Sequence, residues 1–398
     1  MKLKLVLGVI GSLLLGCGDD AGSGGSGAAA TGGGGEGSGA SGSTGGSGAG
    51  GSGTGAAGAE GGGGAGGAAG CLELDGAPIT IAAADLCVVA SYQAPGLELL
   101  SYGTTPTWGR HGGPLTFVGD GIGISRSRWS LQDGALAAET LDLAVADLPA
   151  DAFWGAQLND LTVDNLDISV AAWSGQDFFN VGELVLANEA GNGQTNGTLT
   201  TGAFGLAVIG RRVLYTGLSA ANGKANAVAG LYAADVDATG LEFESSELID
   251  AFGLATGPVA VDSAGNAFAV MTDYDTGTQE LRGYPAPAIA PGQSGATLGT
   301  TLATLEGYGD AMAVVGAEAD LPGLVAFQPN AASGEHLDVV LQRFTADGTT
   351  VAASGEPATL LTLTTPDTNV TLMTDEQNRL WVGLSENGTA TFYVLDRP

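Results

Sequence analysis

The decapeptides ISRSRWSLQD, residues 124–133, and ISVAAWSGQD, residues 168–177, are one phrase written twice at an offset of 44 residues. The same offset carries Asp120-Gly121 onto Asp164-Asn165 and Glu139 onto Glu183, where further short apolar runs begin. Around the phrase, strand-like runs alternate with Gly, Asp, Asn and Ser, and no sustained three-to-four apolar periodicity of an amphipathic helix appears.

A repeating unit of about 40–50 residues, built of short strands and turns, cannot bury its faces alone and does so only against its neighbours. Stacked radially, such units make a β-propeller, so the chain reads as all-β. An opening group of strands falls at 79–82, 86–92 and 97–102. Repeat units then open at 115–118, 161–163, 204–209, 259–262, 311–315 and 370–373. The expectation is seven blades, with 79–102 as a whole unit. The alternative is six, with that group closing the ring against the C-terminal strands.

Two of these units, VAVDSAGNAFAV at 259–270 and VTLMTDEQNRLWVG at 370–383, resemble bacterial β-propeller repeats, in which an apolar strand, an Asp-x-x-Gly/Asn turn and an aromatic strand follow one another. In such a turn the Asp side chain bonds backbone amides and Gly or Asn takes the positive-φ position. The second strand then packs aliphatic residues and an aromatic between blades.

Residues 1–16 read as a secretory signal: Lys2 and Lys4 precede LVLGVIGSLLL at 5–15, an apolar run too short to span a bilayer. Leu14-Leu15-Gly16-Cys17 resembles the lipobox of bacterial lipoproteins. The resemblance implies acylation of Cys17 as the first mature residue, and Gly18 after it, rather than Asp, implies the outer membrane. Residues 18–70 are Gly, Ser, Ala and Thr with almost nothing apolar larger than alanine, a composition that cannot offset its ordering entropy. This expected tether has a root-mean-square span of about 40 Å and a full reach of about 180 Å. The domain reading is thus a signal at 1–16, a lipidated cysteine and disordered Gly/Ser/Ala-rich linker at 17–70, and a propeller at 71–398.

With Cys17 assigned to lipid, Cys71 and Cys87 remain. Outside the cytoplasm such a pair is expected as a disulfide, contributing about 3 kcal/mol and pinning the first strand where the tether ends.

The formal net charge is −31, and after Lys4 the only lysine is Lys224. So negative a surface repels phosphate backbones, which argues against nucleic acid and against charge-driven binding to anionic lipid. No phosphate loop, dinucleotide fingerprint, paired-Cys zinc motif or haem attachment motif is present. Neither His111 nor His336 neighbours a serine or cysteine in a nucleophile elbow.

The candidate ligand face is Trp129, Asp133, Trp173 and Asp177 from the repeated phrase, expected at equivalent points of adjacent blades, with Trp108 and His111 from the loop GRHGG. Equally, the tryptophans can pack between blades. DVDATG at 235–240 and DYDTG at 273–277 make Asp235, Asp237, Asp273 and Asp275 candidate Ca2+ ligands, although neither completes an EF-hand. Arg126, Arg128, Arg211 and Arg212 are expected to pair with neighbouring acids rather than clamp an anion.

The expected protein is an outer-membrane, surface-displayed lipoprotein, monomeric and facing the exterior. Its propeller is expected to bind a protein or polysaccharide without catalysis. The alternatives are a periplasmic envelope-assembly scaffold and a propeller hydrolase or lyase acting on extracellular polymer.

Overall fold

Hairpins here are made by local side-chain chemistry. Asp262 Oδ1 accepts from the backbone N–H of Ala264 at 3.0 Å and of Asn266 at 2.8 Å, while Asn266 Nδ2 donates to Oδ2 at 2.8 Å. Gly265 takes φ +84°. Asp375 repeats the device: its Oδ1 accepts from the N–H of Gln377 at 3.0 Å and of Arg379 at 2.9 Å, and Asn378 takes φ 63°. Each turn reverses the chain between two apolar strands, as the Asp-x-x-Gly/Asn phrase predicts.

The computed structural model describes residues 70–74, 77–95, 107–109, 113–119, 124–132, 135–145, 152–154, 158–163, 166–175, 182–188, 193–195, 202–219, 228–236, 243–252, 255–273, 278–293, 299–306, 308–330, 335–365, 368, 370–386 and 389–398. Regular structure there is β throughout apart from one 3-10 turn at Ala286–Ile289, and none of it is a helix long and apolar enough to cross a membrane. Ala68–Pro398 form one compact unit.

Two strands precede the repeats, β1 (Ile79–Ile81) and β2 (Cys87–Pro95). Blade 1 is β3 (Thr107–Gly109), β4 (Gly113–Gly119), β5 (Ile124–Gln132) and β6 (Ala135–Val145). In blade 2, β7 (Ala152–Trp154) and β8 (Leu158–Val163) both line the inner edge of β9 (Leu166–Gly175), followed by β10 (Gly182–Asn188) and β11 (Gly193–Thr195). Blade 3 is β12 (Gly202–Ile209), β13 (Arg212–Ser219), β14 (Val228–Val236) and β15 (Phe243–Ala251). Blade 4 is β16 (Ala255–Val261), β17 (Ala267–Asp273), β18 (Thr278–Tyr284) and β19 (Thr300–Glu306). Blade 5 holds β20 (Tyr308–Val315), β21 (Gly323–Asn330), β22 (Val339–Ala346), β23 (Val351–Ala353) and β24 (Ala358–Leu363). Blade 6 holds β25 (Val370–Thr374), β26 (Leu380–Glu386) and β27 (Thr389–Asp396).

Within each sheet the strand pairs are antiparallel, and the innermost strand of each packs against that of the next: β3, β8, β12, β16, β20, β25, and β25 again against β3. That sequence of contacts is a closed ring, so the fold is an all-β propeller. Among the described residues there are six sheets, the count of the six-blade alternative rather than of the seven preferred. The opening strands do not make a blade of their own. β1 joins β24 at the edge of blade 5, and β2 completes blade 6 by pairing with β27, Cys87 opposite Asp396 and Pro95 opposite Thr389. The expected third strand, at 97–102, lies outside the described residues.

Apolar burial lies between sheets, as radial packing demands. Blades 3 and 4 share Leu214, Leu231, Val259, Ala269 and Met271, while blades 4 and 5 share Phe268, Leu281, Val325 and Phe344. Blade 6 meets blade 1 through Trp381, Phe392 and Leu136, with Tyr92 stacked on Trp381 at 5.5 Å. Phe268 and Trp381 are the aromatics of the two recognised phrases, and both pack between blades as the resemblance implies.

Candidate functional site

The repeated phrase does not place its two tryptophans at equivalent points. Trp129 lies on β5, the third strand of blade 1, opposite Ala138, whereas Trp173 lies on β9, the second strand of blade 2, opposite Glu183. Consecutive strands of a blade run in opposite directions, so β5 and β9 end at opposite rims of the ring. The expectation of one shared face is therefore corrected. The offset matches strand to strand but slips by one radial position, because blade 1 has β3 inside the matched set. Trp108 lies on β3, the innermost strand of blade 1. Asp133, Asp177 and His111 lie outside the described residues, as do Cys17, Asp237 and Asp275.

Charge collects instead between blades 3 and 4. The turn at Gly210, φ +58°, delivers Arg211 and Arg212 to the start of β13. Arg212 is almost fully buried, and donates through Nη1 to Asp235 at 2.5 Å and through Nη2 to Glu247 at 2.6 Å. Arg211 Nε donates to the carbonyl of Val236 at 2.9 Å. Arg212 thus pairs with two acids, as expected, while Arg211 bonds a backbone carbonyl. Asp235, a candidate Ca2+ ligand, has its carboxylate engaged by Arg212; Asp273 closes β17 in the neighbouring blade. Among the described residues no three His, Cys, Asp or Glu side chains cluster as a metal site.

Next to this pair sits a group that no sequence pattern announces. Asp250, on the outermost strand of blade 3, has a fully buried side chain. Its Oδ2 accepts from Arg282 Nη1 at 2.7 Å, Tyr284 Oη at 2.9 Å and the N–H of Gly299 at 3.0 Å, all three from blade 4. Arg282 donates again through Nε to Glu280 at 3.0 Å, and its guanidinium lies 4.3 Å over the ring of Phe252. Thr301 Oγ1 also donates to Glu280, at 3.1 Å. From the excursion between β18 and β19, the N–H of Gly292 reaches Glu247 Oε1 at 3.0 Å.

Burial, and then the negative charge of Asp250, push the Tyr284 phenol well above its ordinary value, so it stays a hydrogen-bond donor. Burial works against the Arg282 cation, but the hydrogen bond and charge of Asp250 outweigh it and raise its pKa. The chemistry of this arrangement is that of a tie. Asp250 Oδ2 and Glu247 take donors from the facing blade, and a buried charge so committed is costly to expose. Local sequence gives no hint of it, since Asp250 stands 32 residues from Arg282 and 49 from Gly299.

No protein-family model matches the chain, and no curated protein matches it in sequence. Among solved structures, it is similar to the holo form of the pyranose dehydrogenase PQQ domain from Coprinopsis cinerea, with 10% identity and a TM-score of 0.49 over 80% of this chain and 97% of that one. It is similar to the PQQ-bound aldose sugar dehydrogenase from Streptomyces coelicolor, with 14% identity and a TM-score of 0.47 over 80% of this chain and 97% of that one. A streptogramin B lyase is similar at 10% identity and a TM-score of 0.40, over 77% of this chain and 98% of that one. The likeness in each case is one of fold alone.

Proposed function

We propose that the chain is a lipoprotein of the outer membrane, anchored through acylated Cys17, whose propeller is displayed on the segment 18–70 as a non-enzymatic binding module for an extracellular protein or polysaccharide. The observation that carries this reading is the disulfide between Cys71 and Cys87. Disulfides persist outside the reducing cytoplasm, and this one closes where the Gly/Ser-rich segment ends. The binding half is supported by the polar seam of blades 3 and 4. Asp235, Glu247, Asp250 and Glu280 are held by arginine side chains, which rigidifies the scaffold and leaves recognition to the rims.

Proteinase K added to intact cells is expected to remove the body, and a Cys17→Ser chain to leave the membrane fraction. A body that survives on intact cells overturns display in favour of a periplasmic role. Purified body mixed with polysaccharide extracted from the same cell surface is expected to co-sediment with it and leave its chain length unchanged. Shortening of the polymer overturns the non-enzymatic reading.

A further inference from the structure

The segment 71–87 leaves blade 6, crosses to blade 5 and returns. At its base Cys71 and Cys87 are joined, their Cα atoms 5.4 Å apart, and the N–H of Leu72 donates to the carbonyl of Val88 at 2.7 Å. In between, β1 pairs with β24 from Ile79 opposite Leu363 to Ile81 opposite Leu361, extended by Ala82 N–H to Leu360 O at 2.8 Å and Thr364 N–H to Pro78 O at 2.9 Å. Asp85 then grips Arg343 of β22 with both oxygens, at 2.9 Å and 2.5 Å. Ile79 and Leu86 fill the core shared by blades 5 and 6. The excursion is thus a stitch between the last two blades, sewn to the exposed edge of one of them.

An edge strand pulled from its end opens one hydrogen bond at a time, so the three-pair ladder of β1 yields before the eight-pair ladder of β2, the edge strand of blade 6. Tension arriving from residue 70 would enter this stitch first. We propose that the Cys71–Cys87 disulfide is a load-bypass clasp: it passes tension from the tether directly into β2, which is paired with β27 over its whole length, and keeps residues 72–86 out of the load path. The inference rests on the tether reading for its physiological source of force. The clasp itself is a property of the isolated body.

The test is single-molecule pulling on the chain from Gly18 onward, between a handle at its N-terminus and one at Gln293→Cys, an exposed position on blade 4. With the disulfide intact, extension is expected to begin with the body's main opening. In the Cys71→Ser/Cys87→Ser chain an earlier, lower-force step of about 50 Å is expected, the extension gained when residues 72–86 are freed between the two positions. If that variant does not fold, dithiothreitol added to the native chain under constant tension is expected to release the same step. Identical traces with and without the disulfide overturn the proposal. So does a lower thermal midpoint with no early step, which would make the bond a plain entropic cross-link. The release of Cys17→Ser from membranes reads the anchor separately, so either idea can fail without the other.

Discussion

Asp375 shows how much a single carboxylate can hold. Beyond its two turn amides, its Oδ2 accepts from Arg379 Nε at 2.8 Å and from the buried indole Nε1 of Trp381 at 2.8 Å. Asp375→Ala should therefore remove a turn cap and strip a buried donor of its acceptor, lowering stability in urea titration by about 2–4 kcal/mol. Adding Trp381→Phe to that variant should cost less than Trp381→Phe alone, and additive losses would show that the bond carries no coupling. Asp85 gives a pH signature. Its hydrogen bond to Arg343 holds the carboxyl below the ordinary aspartate value, although burial pulls the other way. A folded pKa below the unfolded value of about 3.9 means that the contribution is complete above that pH and vanishes as pH falls through the folded pKa. Asp85→Asn should flatten this part of the acid limb of thermal midpoint against pH and cost about 1 kcal/mol or less at pH 7, since both partners are partly exposed. An unchanged acid limb would mean that the pair titrates as it does in the unfolded chain.

At the scale of strands, the capped hairpins were legible because their chemistry is local: Asp262 and Asp375 meet their partners within six residues. Blade membership was not, because β1 and β2 find theirs nearly three hundred residues away, at β24 and β27. Periodicity reports that strands recur, not which radius each occupies, so the phrase at 124–133 and 168–177 signalled repetition correctly and blade alignment wrongly. The Asp250 tie was hidden for the same reason, as its donors come from another sheet. Close approach of strands from adjacent blades is equally silent in sequence and has a direct test. Gly205, on innermost β12, leaves no room for a side chain: a Cβ there would meet Gly257 O and Val259 N of β16 at 2.7 Å each. Backbone atoms cannot turn aside, so Gly205→Ala should destabilise by about 2–3 kcal/mol in denaturant unfolding. Gly210→Ala meets nothing within 4 Å and carries only the positive-φ penalty, about 1 kcal/mol. Equal losses at the two sites would show that the inner strands yield freely.

For the molecule as a whole, the ring is closed by hydrogen bonds between β2 and β27 and not by a peptide link. An open repeat array can fray from its ends, but here the two ends of the body protect each other. Removing β2 bares the edge of β27 and takes the Tyr92 ring off Trp381, in the contact that joins blade 6 to blade 1. A chain beginning at residue 96 should accordingly lose its single sharp thermal transition and bind a dye for exposed apolar surface at room temperature. Loss of fold by truncation could reflect missing mass rather than missing closure, and a permuted chain separates the two. Beginning at residue 107, running to 398 and continuing through a short glycine linker into 87–95, it restores β2 as a hairpin partner, because Cys87 already lies opposite Asp396. Cooperative melting should return in the permuted chain although it still lacks β1 and the disulfide, with a midpoint below that of the native body. If the truncated chain melts as sharply as the permuted one, closure through β2 is not what makes the six sheets a single cooperative unit.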